Sequence, residues 1–388
     1  MIDVDRERAR TPGTHHGTHL NSAGASLRTI EVSAAVREHL ERESLIGGYE
    51  AALEAEPALV QTRADVAALI RARPEQIGLV GSASYAWATA FYSIPLTEDD
   101  VVLVDRATYV SSALMLLRAT DRYGITVEVV GDDDRGQLDV GALDVALTQH
   151  GARAKLVAAT HIPTSNGLIN PAAEVGGLAR RHGVPYLLDG CQSIGQLDLD
   201  MEAIGCDFFS AAGRKFLRGP RGTGFLYARD PSALDPFILD GGGATWSGPS
   251  EWSPRPDASR IEMFEYDVAG RLGLGVAARQ AMELGTDVIE KHLVSVAAGL
   301  RERLAGLPGV TVLDRGDRLG GIVTFAVDGH PAPELSARLR TEDAVRVWWS
   351  ERTSAQWSLP VDSAMRASVH VYTSDEDLDR LVAVLPRA

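Results

Sequence analysis

Phe208-Phe209-Ser210-Ala211-Ala212-Gly213-Arg214-Lys215-Phe216-Leu217-Arg218-Gly219-Pro220-Arg221-Gly222-Thr223-Gly224 joins a short apolar run to a glycine- and arginine-rich loop, and Lys215 sits where the two meet. The chain has 388 residues and 35 arginines but only three lysines, Lys155, Lys215 and Lys291. A composition that uses arginine for nearly every positive charge keeps lysine where guanidinium cannot serve. Guanidinium stays protonated, whereas a lysine amine can lose its proton and condense with a carbonyl. Lys215 therefore reads as a covalent anchor for a carbonyl, against the bland reading of a surface lysine that escaped the bias. Its flanks favour the anchor: a buried strand end precedes it, and Phe225-Leu226-Tyr227 follows the loop as a second short strand.

Outward from this stretch, short apolar runs alternate with helical patterns. Val101-Val102-Leu103-Val104 is a continuous apolar strand, and Thr126-Val127-Glu128-Val129-Val130 follows a helix over about 110–121. Leu156-Val157-Ala158-Ala159-Thr160 is the next strand, and a helix at 171–182 leads to Pro185-Tyr186-Leu187-Leu188-Asp189. This alternation predicts an α/β fold: a mostly parallel sheet with helices on both faces and a ligand outside the carboxyl ends of its strands. Residues 31–70 read as helical, broken at Gly47-Gly48-Tyr49, and a helix over about 268–305 crosses into a C-terminal α/β piece. That piece contains the strands Gly321-Ile322-Val323-Thr324-Phe325-Ala326-Val327 and Ala367-Ser368-Val369-His370-Val371, and its last helix starts at the cap Ser374. The first ~20 residues, including His15, His16 and His19, read as an extended polar arm, with no metal site assigned.

Bulk properties bound the function. The composition is 45% hydrophobic and 23% charged, ordinary for a globular protein. A formal net charge of −15 argues against nonspecific nucleic-acid binding. No apolar run suits a membrane span, and the charged N-terminus lacks a signal-peptide core. Two cysteines, Cys191 and Cys206, make no disulfide framework, so a reducing, cytoplasmic location is expected.

Asp189 ends its strand just before Gly190-Cys191-Gln192. A carboxylate there can pair with a protonated pyridine nitrogen; taken alone it reads equally as a helix cap. With Lys215 at the next strand end, pyridoxal phosphate becomes the first candidate for the carbonyl. Gly81-Ser82-Ala83-Ser84 lies between the strand Ile77-Gly78-Leu79-Val80 and a helical run, where backbone amides and a hydroxyl can form a phosphate cup. No dinucleotide fingerprint or Walker loop is present.

In this order and spacing the motifs resemble the class V aminotransferase group of fold type I pyridoxal-phosphate enzymes. Those include cysteine desulfurases, selenocysteine lyases and isopenicillin N epimerase. The resemblance runs roughly from Leu20 to Leu385 and rests on Asp189-x-x-Gln192, Arg214-Lys215, Thr160-His161-Ile162-Pro163-Thr164-x-x-Gly167, Gly273-Leu274-Gly275 and Arg366-Ala367-Ser368. It implies a large domain with a seven-stranded-type sheet at 31–275, a smaller C-terminal α/β domain at 276–388, and an N-terminal segment at 1–30. It also implies a homodimer with its active site at the subunit boundary.

Residue by residue, the resemblance implies that Lys215 holds the cofactor and later moves the substrate α-proton. Asp189 would bind the pyridine nitrogen, Gln192 the phenolic oxygen, and Ala83, Ser84 and Arg214 the phosphate. Tyr109 would stack on the ring, though it reads also as core; Thr164 falls near the cofactor. Arg366 would bind the substrate carboxylate bidentately, with a surface ion pair as the alternative. Asn21-Ser22-Ala23-Gly24 and Gly47-Gly48-Tyr49-Glu50 resemble an ergothioneine-pathway C–S lyase and epimerase-like subgroup, which puts Asn21, Gly24 and Tyr49 among the substrate contacts.

Three departures from the family pattern stand out. Ala212 replaces a frequent serine, Glu265 stands where relatives carry a threonine that reaches the partner subunit's phosphate site, and residues 346–365 contain no cysteine. Trp348, Trp349 and Trp357 read either as walls of a roomy pocket or as interface core. The missing cysteine argues against a persulfide-forming desulfurase. The expected reaction is therefore β-elimination of an S-conjugated cysteine in a thiol or antibiotic pathway. Epimerisation, transamination and decarboxylating or oxidative chemistry are the alternatives, and a binding protein without turnover is the non-enzymatic one.

Overall fold

The computed structural model describes residues 2–386. The N-terminal segment forms a short helix, Val4–Ala9 (α1), and a two-residue strand, Thr18–His19 (β1), ahead of two long helices, Ile30–Ile46 (α2) and Gly48–Leu69 (α3). The main sheet has seven strands: Ile77–Val80 (β2), Val101–Val104 (β3), Thr126–Val129 (β4), Ala154–Thr160 (β5), Tyr186–Asp189 (β6), Phe208–Ala212 (β7) and Gly224–Ala228 (β8). Their order is β2-β8-β7-β6-β5-β3-β4, and β8 alone runs antiparallel to its neighbours while the other six strands point the same way. Helices Ala83–Tyr92 (α4), Val110–Tyr123 (α5), Val140–His150 (α6) and Ala172–His182 (α7) connect the strands. Strand β3 is buried at all four positions, as its unbroken apolar run requires of a strand covered on both faces. No helix among the described residues is long and apolar enough to cross a membrane.

After a single turn at Met201–Ile204 (α8), the chain makes an exposed hairpin from Ala244–Gly248 (β9) and Glu251–Pro254 (β10). Two helices follow, Val268–Leu284 (α9) and Thr286–Ala305 (α10). A second, antiparallel sheet comes next, built in the order β11-β12-β15-β14 from Val310–Val312 (β11), Ile322–Val327 (β12), Trp348–Glu351 (β14) and Ser363–Ser368 (β15). Helices Ala332–Glu342 (α11) and Asp375–Val384 (α12) accompany it, and Val345–Arg346 (β13) pairs with β1.

The register puts Thr160 beside Asp189, and Asp189 beside Ser210, so the ends of β5, β6 and β7 share one sheet edge. The expected alternation and sheet are found. Two local expectations are corrected. The helix over 268–305 is broken at Gly285, whose φ of +84° lies in the left-handed region that glycine reaches without strain. The N-terminal arm is packed rather than extended: Glu7 and Thr11 are buried, and β1 is hydrogen-bonded to β13.

Helix α9 lies against both α2 and α3 at the Gly273-Leu274-Gly275 step. A Cβ at Gly275 would stand 2.3 Å from Thr62 Oγ1, and one at Gly273 would stand 2.7 Å from Pro220 Cγ. Gly275→Ala is expected to destabilise the protein by about 2 kcal/mol, because the crossing must open to admit one methyl group. Thermal unfolding measures this; an unchanged melting temperature would show that α3 yields freely.

Candidate active site

Strand ends and helix starts converge on a cavity of about 260 Å³. The turn after β6 holds Asp189, which keeps only 9% exposure, and its Oδ1 accepts the Cys191 backbone N–H at 2.9 Å. Gly190 is required there, since a Cβ would stand 1.8 Å from the Phe209 ring. Lys215 lies on the loop after β7. Gly219 N–H donates to Gly213 O at 2.8 Å and Arg218 N–H to Lys215 O at 3.0 Å, closing the loop into a tight turn. Helix α4 opens at the cavity, with Ser82 Oγ accepting Tyr85 N–H at 3.2 Å as its cap. Tyr109 precedes α5, its ring centroid 5.8 Å from Lys215 Nζ.

Ala83, Ser84, Tyr109 and Thr164 all line this cavity, and so do Asp189, Gln192, Arg214 and Lys215. Residues up to 132 positions apart in sequence thus share one wall system. Lys215 is only 8% exposed and burial, its largest influence, pushes the amine below the ordinary lysine range, with Cys191 and Asp189 pulling the other way. A buried amine held toward its neutral form is suited to condense with an aldehyde. Gln192 Nε2 donates to Ala23 O at 3.1 Å and to Thr164 Oγ1 at 3.3 Å, while its Oε1 is buried without a partner. An amine, a carboxylate, an unsatisfied amide and a helix start beside an arginine form a donor set that fits an aldehyde-bearing pyridine phosphate.

Arg366 comes up from β15 behind Thr164. Its Nη1 donates to Thr164 O at 3.0 Å and to Thr164 Oγ1 at 2.9 Å, and its Nη2 reaches Asn21 Oδ1 at 3.4 Å. Its Nε is buried without a partner and its Nη2 is held by Asn21, so a carboxylate that took the Nε–Nη2 edge would displace Asn21 Oδ1. Burial pushes this guanidinium down to about 10. Gly24 O accepts from Arg214 Nη1, so the Asn21–Gly24 turn touches both arginines.

Tyr49 stands apart from the other expected site residues. It is 73% exposed at the start of α3, because Gly47, at φ +100°, turns that helix outward to solvent. Trp348 and Trp349 stack at 4.3 Å on the edge strand β14, and Trp357 lines a different cavity with Arg106 and Arg315. Glu265 lies within its own chain beside Ser82 and Gly222. Sequence reading passed over Arg221, Ser111 and Ser112 on the cavity wall. The position of Arg221 in Gly-Pro-Arg-Gly and of the serine pair just after Tyr109 was the available signal. Cys191 also lines the cavity, but burial pushes its thiol far up; Cys206 is fully buried and raised to about 12.

Residues 18–381 match the family model described as Aminotransferase class-V. The chain is 26% identical over 377 residues to a probable cysteine desulfurase of Methanothermobacter thermautotrophicus, covering 94% of this chain and 92% of that one. It is 28% identical to probable cysteine desulfurase 2 of Mycobacterium leprae, covering 100% and 97%. The fold superposes on a cysteine desulfurase from Thermococcus onnurineus with a TM-score of 0.89 at 23% identity, covering 99% and 97%.

These relatives correct the functional expectation. They bear desulfurase names, and none of them is named as an S-conjugate lyase of an antibiotic pathway or as an epimerase. The exclusion of a persulfide-forming desulfurase is overturned with it. The physical reason is that a cysteine-free stretch at 346–365 removes one position for a sulfur acceptor, and says nothing about which substrate bond is broken.

His161 is buried and His19 half-buried, and desolvation is the main cause that lowers each to about 4. Unfolded histidine titrates near 6.5, so the native state binds fewer protons in between. Stability from these rings is complete above about pH 6.5 and is lost as the pH falls toward 4. Thermal melts from pH 8 to 4.5 are expected to show that decline and to show it reduced in His161→Gln; equal slopes would clear His161 of the effect.

Proposed function

The chain belongs to the class V aminotransferase family and uses its cofactor, pyridoxal 5'-phosphate, and we propose that it breaks the Cβ–S bond of L-cysteine, as a cysteine desulfurase does. One observation supports this most directly: a buried Lys215 amine, held below the ordinary lysine range, faces a cavity whose wall includes Thr164, and Thr164 is hydrogen-bonded to Arg366. The desulfurase names of the relatives supply the substrate class.

Bound pyridoxal phosphate supplies the electron sink that makes the Cα proton of an amino acid acidic. Asp189 would hold its ring nitrogen, Gln192 its phenolic oxygen, Tyr109 its ring face, and Ala83, Ser84 and Arg214 its phosphate. Arg366 takes the substrate carboxylate on its Nε–Nη2 edge and so fixes which substituent of Cα faces Lys215. Lys215 Nζ, once displaced by the substrate amine, accepts the α-proton, a role that its lowered basicity suits. Both cysteines of the chain are held protonated by burial, which makes them poor sulfur acceptors. The acceptor is then a thiolate from outside the chain. It attacks Sγ of the substrate, an S–S bond forms as Cβ–S breaks with its electron pair left on Cβ, Cβ takes a proton, and Lys215 returns a proton to Cα to complete alanine. The persulfide is carried by that thiol.

The working unit is a homodimer in the cytoplasm. Leu45, Leu53 and Val60 on α2 and α3, with Trp246 and Trp252 on the hairpin, leave apolar surface of the kind a second copy covers.

Purified protein loaded with cofactor is expected to form alanine from L-cysteine, with sulfide released in step when dithiothreitol is present. Lys215→Ala is expected to abolish both products. Turnover without alanine, or none with L-cysteine at any thiol concentration, would sink the desulfurase reading. Separately, Arg366→Lys replaces a fork by a point charge and is expected to lower kcat/KM roughly 100-fold, or about 2–3 kcal/mol, mainly through KM. Steady-state kinetics on L-cysteine measures it; a change confined to kcat would mean that Arg366 does not hold the carboxylate.

A further inference from the structure

Arg218 is a non-glycine residue with φ at +63°, three positions after Lys215 in the turn that Arg218 N–H closes onto Lys215 O. A side chain in this region is strained and persists only where its surroundings hold it. Those surroundings come from the far N-terminus. Arg218 Nη1 donates to Glu7 Oε2 at 2.9 Å, Nη2 to Thr11 Oγ1 at 2.5 Å and Nε to Leu27 O at 3.0 Å. The guanidinium also sits 5.0 Å from the Tyr372 ring centroid. Both charged partners are buried, Glu7 at 1% exposure and Arg218 at 6%.

We propose that Glu7 and Arg218 are a positioning pair for Lys215, through which the N-terminal segment sets where the cofactor lysine stands. This rests on Lys215 being the lysine that carries pyridoxal phosphate. The neighbouring pins point the same way. Ser26 N–H donates to Arg214 O at 3.0 Å, on the residue before Lys215. His370 Nε2 donates to Phe216 O at 2.9 Å, on the residue after it, and its Nδ1 accepts Val371 N–H at 2.8 Å. These contacts pin the outer side of the turn to the N-terminal segment and to the chain after β15. The strained Arg218 is where the only buried ion pair of the turn acts, and Lys215 O is bonded directly to that residue's N–H. If the pair lets go, the turn can relax and carry Lys215 away from Tyr109 and Asp189.

The test uses full-length protein loaded with pyridoxal phosphate and reads the visible cofactor band rather than turnover. Two quantities are measured: the pH at which the band titrates, and the rate of cofactor release to a trapping apoenzyme. Glu7→Gln and Arg218→Gly are each expected to move the titration by about half a pH unit and to speed release roughly tenfold, the scale of one charge-assisted hydrogen bond. Glycine removes the backbone strain, so Arg218→Gly isolates the side-chain anchor. Arg218→Lys, which keeps the charge beside Glu7, is expected to recover part of both effects. Wild-type titration and release in Glu7→Gln and Arg218→Gly, even with lowered melting temperatures, would overturn the proposal and leave the pair a purely structural one. Should Arg218→Gly fail to fold, Glu7→Gln decides alone. Lys215→Ala run beside them, with borohydride reduction, separates the premise from the inference: cofactor fixed covalently to the protein there means that another residue carries it.

Discussion

An amine kept out of water at the carboxyl end of a parallel sheet is the constraint on which this structure turns. Burying a lysine is costly unless its charge is given up or answered, and here both are arranged. Desolvation lowers the basicity of Lys215, while Asp189, on the neighbouring strand end, holds part of the charge in place. The order β5-β6-β7 makes this possible, because adjacent parallel strands deliver Thr160, Asp189 and the Lys215 loop to the same edge. Antiparallel β8 then returns the chain and lets the loop close tightly on Gly213 and Gly219.

The second layer of organisation is the convergence of chain segments remote in sequence on that loop. The N-terminal segment reaches it through Glu7, Thr11, Leu27 and Gly24, and the C-terminal sheet reaches it through His370 and Tyr372. These contacts are polar and buried, so each donor removed would leave its partner unsatisfied in a low-dielectric setting. Arg366 shows the same economy. Thr164 holds its Nη1 and Asn21 its Nη2, and the buried Nε is left without a partner. The site is thus a junction of three parts of the chain rather than a feature of one.

The fold was legible where local chemistry is unambiguous. Val101–Val104 is a buried strand because four consecutive apolar residues suit a strand covered on both faces, and Ser374 caps α12 with its hydroxyl on Asp377 N–H. The resemblance to the family, rather than residue type alone, brought Asp189, Gln192 and Lys215 together in the reading, and they line one cavity. Other features were not. Gly285 reads as a tolerated helix glycine until its φ is known, and the N-terminal residues read as a loose polar arm because Glu7 finds its counter-charge 211 positions away. Tyr49 looked like a site residue from its Gly-Gly neighbours, but the turn at Gly47 points the start of α3 to solvent. The stretch without cysteine at 346–365 defines only where a sulfur acceptor is absent, and leaves the bond that is broken undetermined.

The sequence by itself determined the alternation of strands and helices and the lysine and carboxylate at neighbouring strand ends, because each depends on residue type and spacing over a few turns. Only the tertiary structure decided the strand order, the packed course of the N-terminal segment, the unpartnered Nε of Arg366 and the strained turn held by Glu7. Those depend on contacts between residues tens to hundreds of positions apart, whose free energy comes from joint burial and is invisible until the chain has closed on itself.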